Sequence, residues 1–297
     1  MAAKVTAAVL RGNDLGGKCP HDEGRSIVAA MTVIAERPEI GALLRDWRRR
    51  RHMSQLDLGL EAGVSARHLS FVETGRARPS AEMVARLAEA LEVPLRDRNA
   101  LLLAAGFAPA YGQRDLDEPE MGPVRDALER VLRGHEPYPA LVVDRQWALV
   151  LGNAAVPLLT AGVAEHLLEP PVNVLRLSLH PEGLAPRIVN LGEWRAHILD
   201  RLGRQAVVSG DPALFTLHEE LAGYPGGERG HAVDLEASSV VVPLRLRVGD
   251  AELAFISTVT TFGAATDVTL AELSIESFFP ADDATAEALR AMMAAAG

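Results

Sequence analysis

Serine caps and glycine stops constrain this chain more than any other feature: between Glu39 and Gly106 they recur at spacings that leave room only for short helices. Ile40, Leu43, Leu44 and Trp47 fall at three- and four-residue steps, one face of a helix over Glu39–Arg51. Pro38 stands at its start, where a missing N–H costs nothing. Ser54 is placed to cap a second helix carrying Leu56 and Leu60 and ended by Gly63. Ser65 caps a third that runs to Thr74 and is closed by Gly75 in a C-terminal stop position. Pro79-Ser80 opens a fourth with Met83, Val84, Leu87 and Leu91 as its stripe, and Asp97–Ala105 gives a fifth, stopped by Gly106. Five short helices over 37–107 predict a compact all-α domain, and residues 1–36 read as an extension with no sustained period.

Beyond it the pattern changes. Residues 108–123, rich in Pro, Gly and acids, read as a linker. Val124–Arg133 is a short amphipathic helix, and the apolar runs 140–143 and 148–151 around Asp144-Arg145 form a hairpin pattern. Trp194–Ser209 is helical in pattern. The stretches 240–246, 252–261 and 269–278 are enriched in Val, Ile, Thr and Phe and read as strands, with Val248-Gly249-Asp250 turning between the first two. An Ala-rich helix closes the chain over 284–295. The expected fold is therefore multidomain, an all-α unit followed by an α+β unit with an antiparallel sheet over 124–297.

Charge follows the same division. The chain carries a net −10, yet residues 37–106 hold twelve Arg against nine acids while 107–297 hold fourteen against twenty-seven. A mildly basic unit joined to an acidic one suits a nucleic-acid reader with a separate second domain. The single cysteine, Cys19, excludes an internal disulfide and fits a reducing cytoplasm. No apolar run reaches a membrane-spanning length, and the polar stretch Lys18–Arg25 is unlike the core of a secretory signal. The nine His show no HExxH or Cys/His ligand spacing and no Gly-rich phosphate loop follows a strand, so neither a metal, a cofactor nor an enzymatic site is expected.

The stretch Gln55–Ser80, two short helices around a Gly-containing turn, has the form of a helix-turn-helix. In its second helix Leu69 and Val72 point one way, and the opposite face centres on Arg67 with Ser70, Phe71 and Thr74 beside it. A guanidinium there can bond guanine O6 and N7 bidentately, worth roughly 1–3 kcal/mol of discrimination. Phe71 can meet a thymine methyl, or belong to a wider core stripe. Ala66 permits close approach to a groove. Ser70 suits a base edge or a phosphate, and Arg76 and Arg78 suit phosphates. Gln55, at a helix N-terminus, is a further phosphate contact. The run Arg48–Arg51 is either a solvated face or a track along the backbone.

These residues, from Ser54-Gln55 through Gly63-Val64-Ser65 to Glu73-Thr74-Gly75-Arg76 and Pro79-Ser80, resemble the Xre/lambda-repressor-like helix-turn-helix family. The resemblance implies a five-helix domain that pairs on DNA with its third helix in the major groove. Gln55 falls on the family's early helix-2 glutamine, Ala66, Arg67 and Phe71 on its base-reading positions, and Arg76 and Arg78 on its basic positions after the helix; Ala66 and Phe71 stand where the usual reader is polar, and Ser65 and Ser70 are further expected DNA contacts. Glu136-Pro137-Tyr138-Pro139-Ala140, Asp144-Arg145-Gln146-Trp147, Asn153-Ala154-Ala155, Asn173-Val174-Leu175-Arg176, Leu179-His180-Pro181, Asn190-Leu191-Gly192-Glu193-Trp194 and 258–262 resemble the ligand-binding domain of MmyB-like regulators. That resemblance implies a PAS-like curved antiparallel sheet with helices over one face and a pocket between. The expected ligand is a small apolar or amphipathic molecule, such as an acyl chain, with Asn153, His180, Trp194 and Phe262 as the pocket candidates. Each has a plainer reading: Trp194 as core, His180 and Asn153 as backbone partners, the pocket itself filled by side chains. The expected partner is a double-stranded operator with an inverted repeat, bound by a homodimer. The rival is an antitoxin-like protein-interaction module with a ligand-free dimerisation domain.

Overall fold

The computed structural model describes residues 39–226, 241–263 and 265–296. The expectations for 1–36, Cys19, Pro38 and Val240 lie outside the described residues. The chain divides into two compact units, the boundary falling between Gly112 and Gln113.

The first unit holds α1 (Ile40–Arg50), α2 (Gln55–Glu61), α3 (Ala66–Glu73), α4 (Ala81–Ala90) and α5 (Leu95–Ala104). The serine caps act as the sequence predicts. Ser54 Oγ accepts from Asp57 N at 3.1 Å while the Asp57 carboxylate accepts from Ser54 N at 2.9 Å, a reciprocal capping box. Ser65 and Ser80 cap α3 and α4 through His68 N and Met83 N, both at 3.2 Å. Leu44, Trp47, Leu58, Leu69, Val72, Leu87, Leu91 and Leu101 form the core. A glycine is required in α2: a Cβ on Gly59 would lie 2.5 Å from the Val64 carbonyl oxygen. Without it the chain could not turn back tightly enough to start α3.

The run Arg48–Arg51 is neither a solvated face nor a backbone track throughout. Arg48 is held by Glu73, and Arg51 donates from Nε to Leu91 O at 2.8 Å and from Nη2 to Glu92 O at 3.0 Å. Leu91 is the C-cap of α4 and Glu92 the residue after it, where the helix supplies no partner for the carbonyls. Arg50 and Arg51 also lie over the Trp47 ring, at 4.9 and 5.8 Å from its centroid.

The second unit runs α6 (Gly122–Gly134), β1 (Ala140–Val143), β2 (Leu149–Gly152), α7 (Val156–Thr160), α8 (Val174–Leu179), α9 (Leu191–Ser209), α10 (Pro212–Ala222), β3 (Leu244–Val248), β4 (Ala251–Thr261), α11 (Val268–Glu272), β5 (Ser274–Pro280) and α12 (Asp283–Ala296). Its five strands form one antiparallel sheet in the order β2-β1-β5-β4-β3. Register sorts the side chains by face: Leu141 pairs with Glu276, and Val142 with Ile275. On the first face Leu141, Val143, Leu246, Phe255 and Phe278 pack with α8, α9 and α10. On the second, Ala140, Val142, Leu151 and Ile275 pack with Leu128 and Leu132 of α6. The sheet is thus covered on both faces, more than the resemblance implied.

Two expectations are corrected. Residues 269–278 are not one strand, because Asp267 accepts from Thr269 N at 2.9 Å and caps the short helix α11 before β5 begins. Residues 108–123 are only in part a linker. Asn99 bonds both the N–H and the C=O of Tyr111, at 3.0 and 2.8 Å, within the first unit. Leu116 and Met121 are buried in the second.

Candidate functional site

The exposed side of α3 is set by what the other side buries. Leu69 and Val72 are fully buried, each of which stabilises the unit by roughly 1.5–3 kcal/mol. The half-turn offset leaves Ser65, Arg67 and Thr74 exposed, and Ala66, Ser70 and Phe71 half-buried. The Arg67 guanidinium carbon lies 5.6 Å from the centroid of the Phe71 ring, one turn on. The ring therefore steadies the cation without neutralising it. Thr74 is turned inward on its own helix, donating to Ser70 O at 2.7 Å. After α3 the N–H groups of Arg76 and Ala77 both return to Phe71 O, at 2.8 and 3.1 Å. This tight reversal sets Arg76 and Arg78, both exposed, just beyond the helix end.

A buried carboxylate holds that helix in place. Glu73, the last residue of α3, accepts Arg48 Nε and Nη2 at 2.7 and 2.8 Å in a bidentate pair, and Gln55 Nε2 at 2.9 Å. Arg45 adds a contact at 3.7 Å. Burial raises the Glu73 carboxyl, but the hydrogen bonds from Arg48 and Gln55 and the charges of Arg48 and Arg45 outweigh it, so its pKa lies below the usual carboxylate value. The hydrogen bond to Glu73 raises Arg48 further. One residue thus ties α1, α2 and α3 together. Gln55, expected at a phosphate, gives an amide N–H to this network and keeps its second. Sequence reasoning missed Glu73; its signal is a carboxylate one residue past Val72, on the inward side of a helix that ends there.

The second unit encloses a cavity of about 90 Å³ between the first sheet face and the helices over it. Its lining is aliphatic and aromatic, including Leu141, Val156, Leu175, Trp194, Ile198 and Phe278. Arg201 of α9 and Glu276 of β5 bring charge to it. Arg201 Nη1 and Nη2 stand 3.3 and 3.4 Å from Glu276 Oε1, and Ser257 Oγ donates to the same oxygen at 3.4 Å. Burial pushes the Glu276 carboxyl up, against the pull of Arg201 and Ser257. Arg201 also lies 4.3 Å from the centroid of Trp147, whose indole N–H donates to Gln205 at 2.8 Å. Neither charged residue was among the sequence candidates. The period-two pattern of β5 carries the signal, since it sends Glu276 inward with Phe278.

Of the four pocket candidates, Trp194 lines the cavity and donates its indole N–H to Ser178 Oγ at 3.0 Å. The other three do not line it. Asn153 is an internal staple, its amide donating to Tyr138 O at 2.8 Å and Leu132 O at 3.2 Å and its Oδ1 accepting Ala140 N at 3.2 Å. Phe262 packs against the α6 side of the sheet. His180 ends α8, where its Nδ1 accepts Glu182 N at 3.1 Å. Among the described residues no helix is long and apolar enough to cross a membrane.

Comparison with known proteins matches these two sites to known families. Residues 44–97 match a helix-turn-helix family model, and residues 124–292 match the MmyB-like transcription regulator ligand binding domain. The ImmF control region 10 kDa protein of Bacillus phage phi105 is 33% identical over 57 residues, 19% of this chain. The chain spans 63% of that relative's length. Among solved structures, the clp gene regulator ClgR from Corynebacterium glutamicum is 27% identical, with 33% of this chain and 90% of that one covered at a TM-score of 0.20. An RNA-binding light-oxygen-voltage receptor is 14% identical, with 87% and 63% covered at a TM-score of 0.22. With its second unit matched almost throughout and a helix-turn-helix before it, the chain belongs to the MmyB-like transcription regulators and is a DNA-binding regulator.

Proposed function

We propose that the protein reads an operator through α3 and tunes that reading with a small apolar or amphipathic ligand held in the second unit. The observation that carries the reading is the split of α3, with Leu69 and Val72 sealed inside while Arg67, braced on Phe71, stands outside. In this reading Arg67 takes a guanine edge, Phe71 a thymine methyl, and Ala66 lets the groove approach. Ser65 and Ser70 bond base edges or phosphates. Arg76, Arg78 and the remaining Gln55 N–H hold phosphates. A homodimer sets two such helices one DNA turn apart on an inverted repeat.

The aliphatic lining supports an apolar body for the ligand, and Arg201 with Glu276 supports a polar end. A dry cavity of roughly 150 Å³ holds benzene, so one of about 90 Å³ must widen even for a molecule of that size. The ligand changes operator affinity only by binding two arrangements of the protein unequally. The test is selection of genomic DNA fragments by the full chain, followed by anisotropy titration of the recovered site. The reading expects an enriched palindrome whose base preference relaxes in Arg67→Ala. Absence of enrichment, or a preference that Arg67→Ala leaves intact, overturns it. Native mass spectrometry of the purified chain tests the ligand separately.

A further inference from the structure

We propose that His166, His180 and Glu182 form a site for a divalent transition-metal ion at the rim of the second unit. A nitrogen of each imidazole and a carboxylate oxygen of Glu182 lie within 4.8 Å of one another. His166 Nε2 is already 3.9 Å from Glu182 Oε2. Metal–ligand bonds of about 2.0–2.2 Å in a tetrahedral shell put donors about 3.4 Å apart. The side chains need therefore close by little more than an ångström. Their backbones are tied before any ion arrives: Ala164 N, two residues before His166, donates to Glu182 O at 3.0 Å. The His180 ring is held edge-on by Tyr224 at 5.1 Å and by His166 at 5.7 Å. Nearby Glu220 is engaged by Arg176 and by the Tyr224 hydroxyl, so it does not compete for the ion.

Two imidazoles and one carboxylate form the donor set of zinc, nickel or cobalt, and exposure of His166 and Glu182 leaves the remaining positions to water. His180 accepts the Glu182 amide at Nδ1, at 3.1 Å, which fixes the ring against the segment that carries Glu182. The ion would join the segment before the cavity wall to the end of α8. Leu168, two residues after His166, lines the cavity, as do Ser178 before His180 and Leu184 after Glu182. Metal binding thereby restrains one wall, whatever molecule the cavity takes.

The experiment is calorimetric titration of the full, chelator-washed chain with zinc chloride, repeated with cobalt chloride to read the visible bands of a four-coordinate ion. His166→Ala with Glu182→Gln is the test variant. Both side chains are more than half exposed, so the variant folds, as circular dichroism without metal checks. The parent is expected to bind one more equivalent than the variant, with at least tenfold tighter affinity at that step and cobalt bands that the variant loses. Equal stoichiometry and affinity in parent and variant, including no binding by either, would overturn the proposal.

Discussion

Glu73→Gln removes the charge that three helices share. The Glu73 side chain is 1% exposed and that of Arg48 12%, so the variant leaves a guanidinium with little access to water and no counter-charge. Breaking a buried pair from one side costs roughly 3–5 kcal/mol. The Arg45 contact, at 3.7 Å with Arg45 36% exposed, adds little because solvent screens it. Glutamine keeps an acceptor for Gln55 or for one Arg48 N–H, which brings the expected loss to about 2–4 kcal/mol. The sign with pH follows from the lowered carboxyl. The folded unit holds Glu73 ionised more firmly than the unfolded chain does, so this stability is present above the unfolded carboxylate value and is lost as pH falls through the lower, folded one. The parent's first unit should therefore weaken in acid over that window, and the variant should be weaker at neutral pH but flatter in acid. Hydrogen exchange of the amides in α1 and α3 reads this without interference from the second unit. At about 1.4 kcal/mol per tenfold, protection in the variant should fall by one and a half to three orders of magnitude at pH 7. Protection within threefold of the parent would refute the idea that Glu73 sets the placement of α3.

Arg67→Ala should flatten discrimination at one base step by about 1–3 kcal/mol, whereas Arg78→Ala should weaken all sequences alike; anisotropy titrations on single-base operator variants separate the two. Gly59→Ala drives a methyl to 2.5 Å from Val64 O and should lower the stability of the first unit by about 1–3 kcal/mol, seen as a lower Tm. Ile198→Phe narrows the cavity, so native mass spectra should lose any co-purified small molecule while operator affinity without ligand stays unchanged. The logarithm of operator affinity should fall linearly with the logarithm of salt, and Arg76→Ala should make that slope shallower by about one per phosphate contact removed.

The parts of the fold that were legible in sequence are those decided locally. Ser54, Ser65 and Ser80 cap the amides three residues ahead of them, so reading them needs no knowledge of the rest of the chain. The glycine stops work the same way: Gly63, Gly75 and Gly106 take φ of +63°, +71° and +90°, open to glycine at no steric cost. The stretch after Asp267 misled because β-branched Val268 and Thr269 favour a strand, while a single aspartate cap outweighs that preference over five residues. Leu116 and Met121 were hidden by averaging, since two anchors among Pro, Gly and acids leave the composition of a linker unchanged. The fate of Arg48 and Arg51 depends on partners 25 and 40 residues away, which no local pattern encodes. The charged end of the cavity was hidden for the same reason. Arg201 meets Glu276 across 75 residues.

The internal use of arginine changes what the reader's charge means. Its sequence carries a balance of +3, yet Arg48 and Arg51 face inward to Glu73 and to the end of α4, and Arg98 donates to Val93 O at 2.7 Å. The exposed cations on α3 and just beyond it are Arg67, Arg76 and Arg78, with Arg49, Arg50 and Arg86 exposed elsewhere in the same unit. Exposed cations attract any polyanion alike, so in the proposed reading the discrimination between sequences comes from short-range fit. That places the weight on how rigidly Arg67 is presented. Two features of the structure serve it: the Phe71 ring beneath the guanidinium, and the Glu73 clamp that fixes the helix carrying both. In the proposed reading phosphates hold the unit on any DNA, and only the sequence that satisfies the Arg67 edge adds to what they supply.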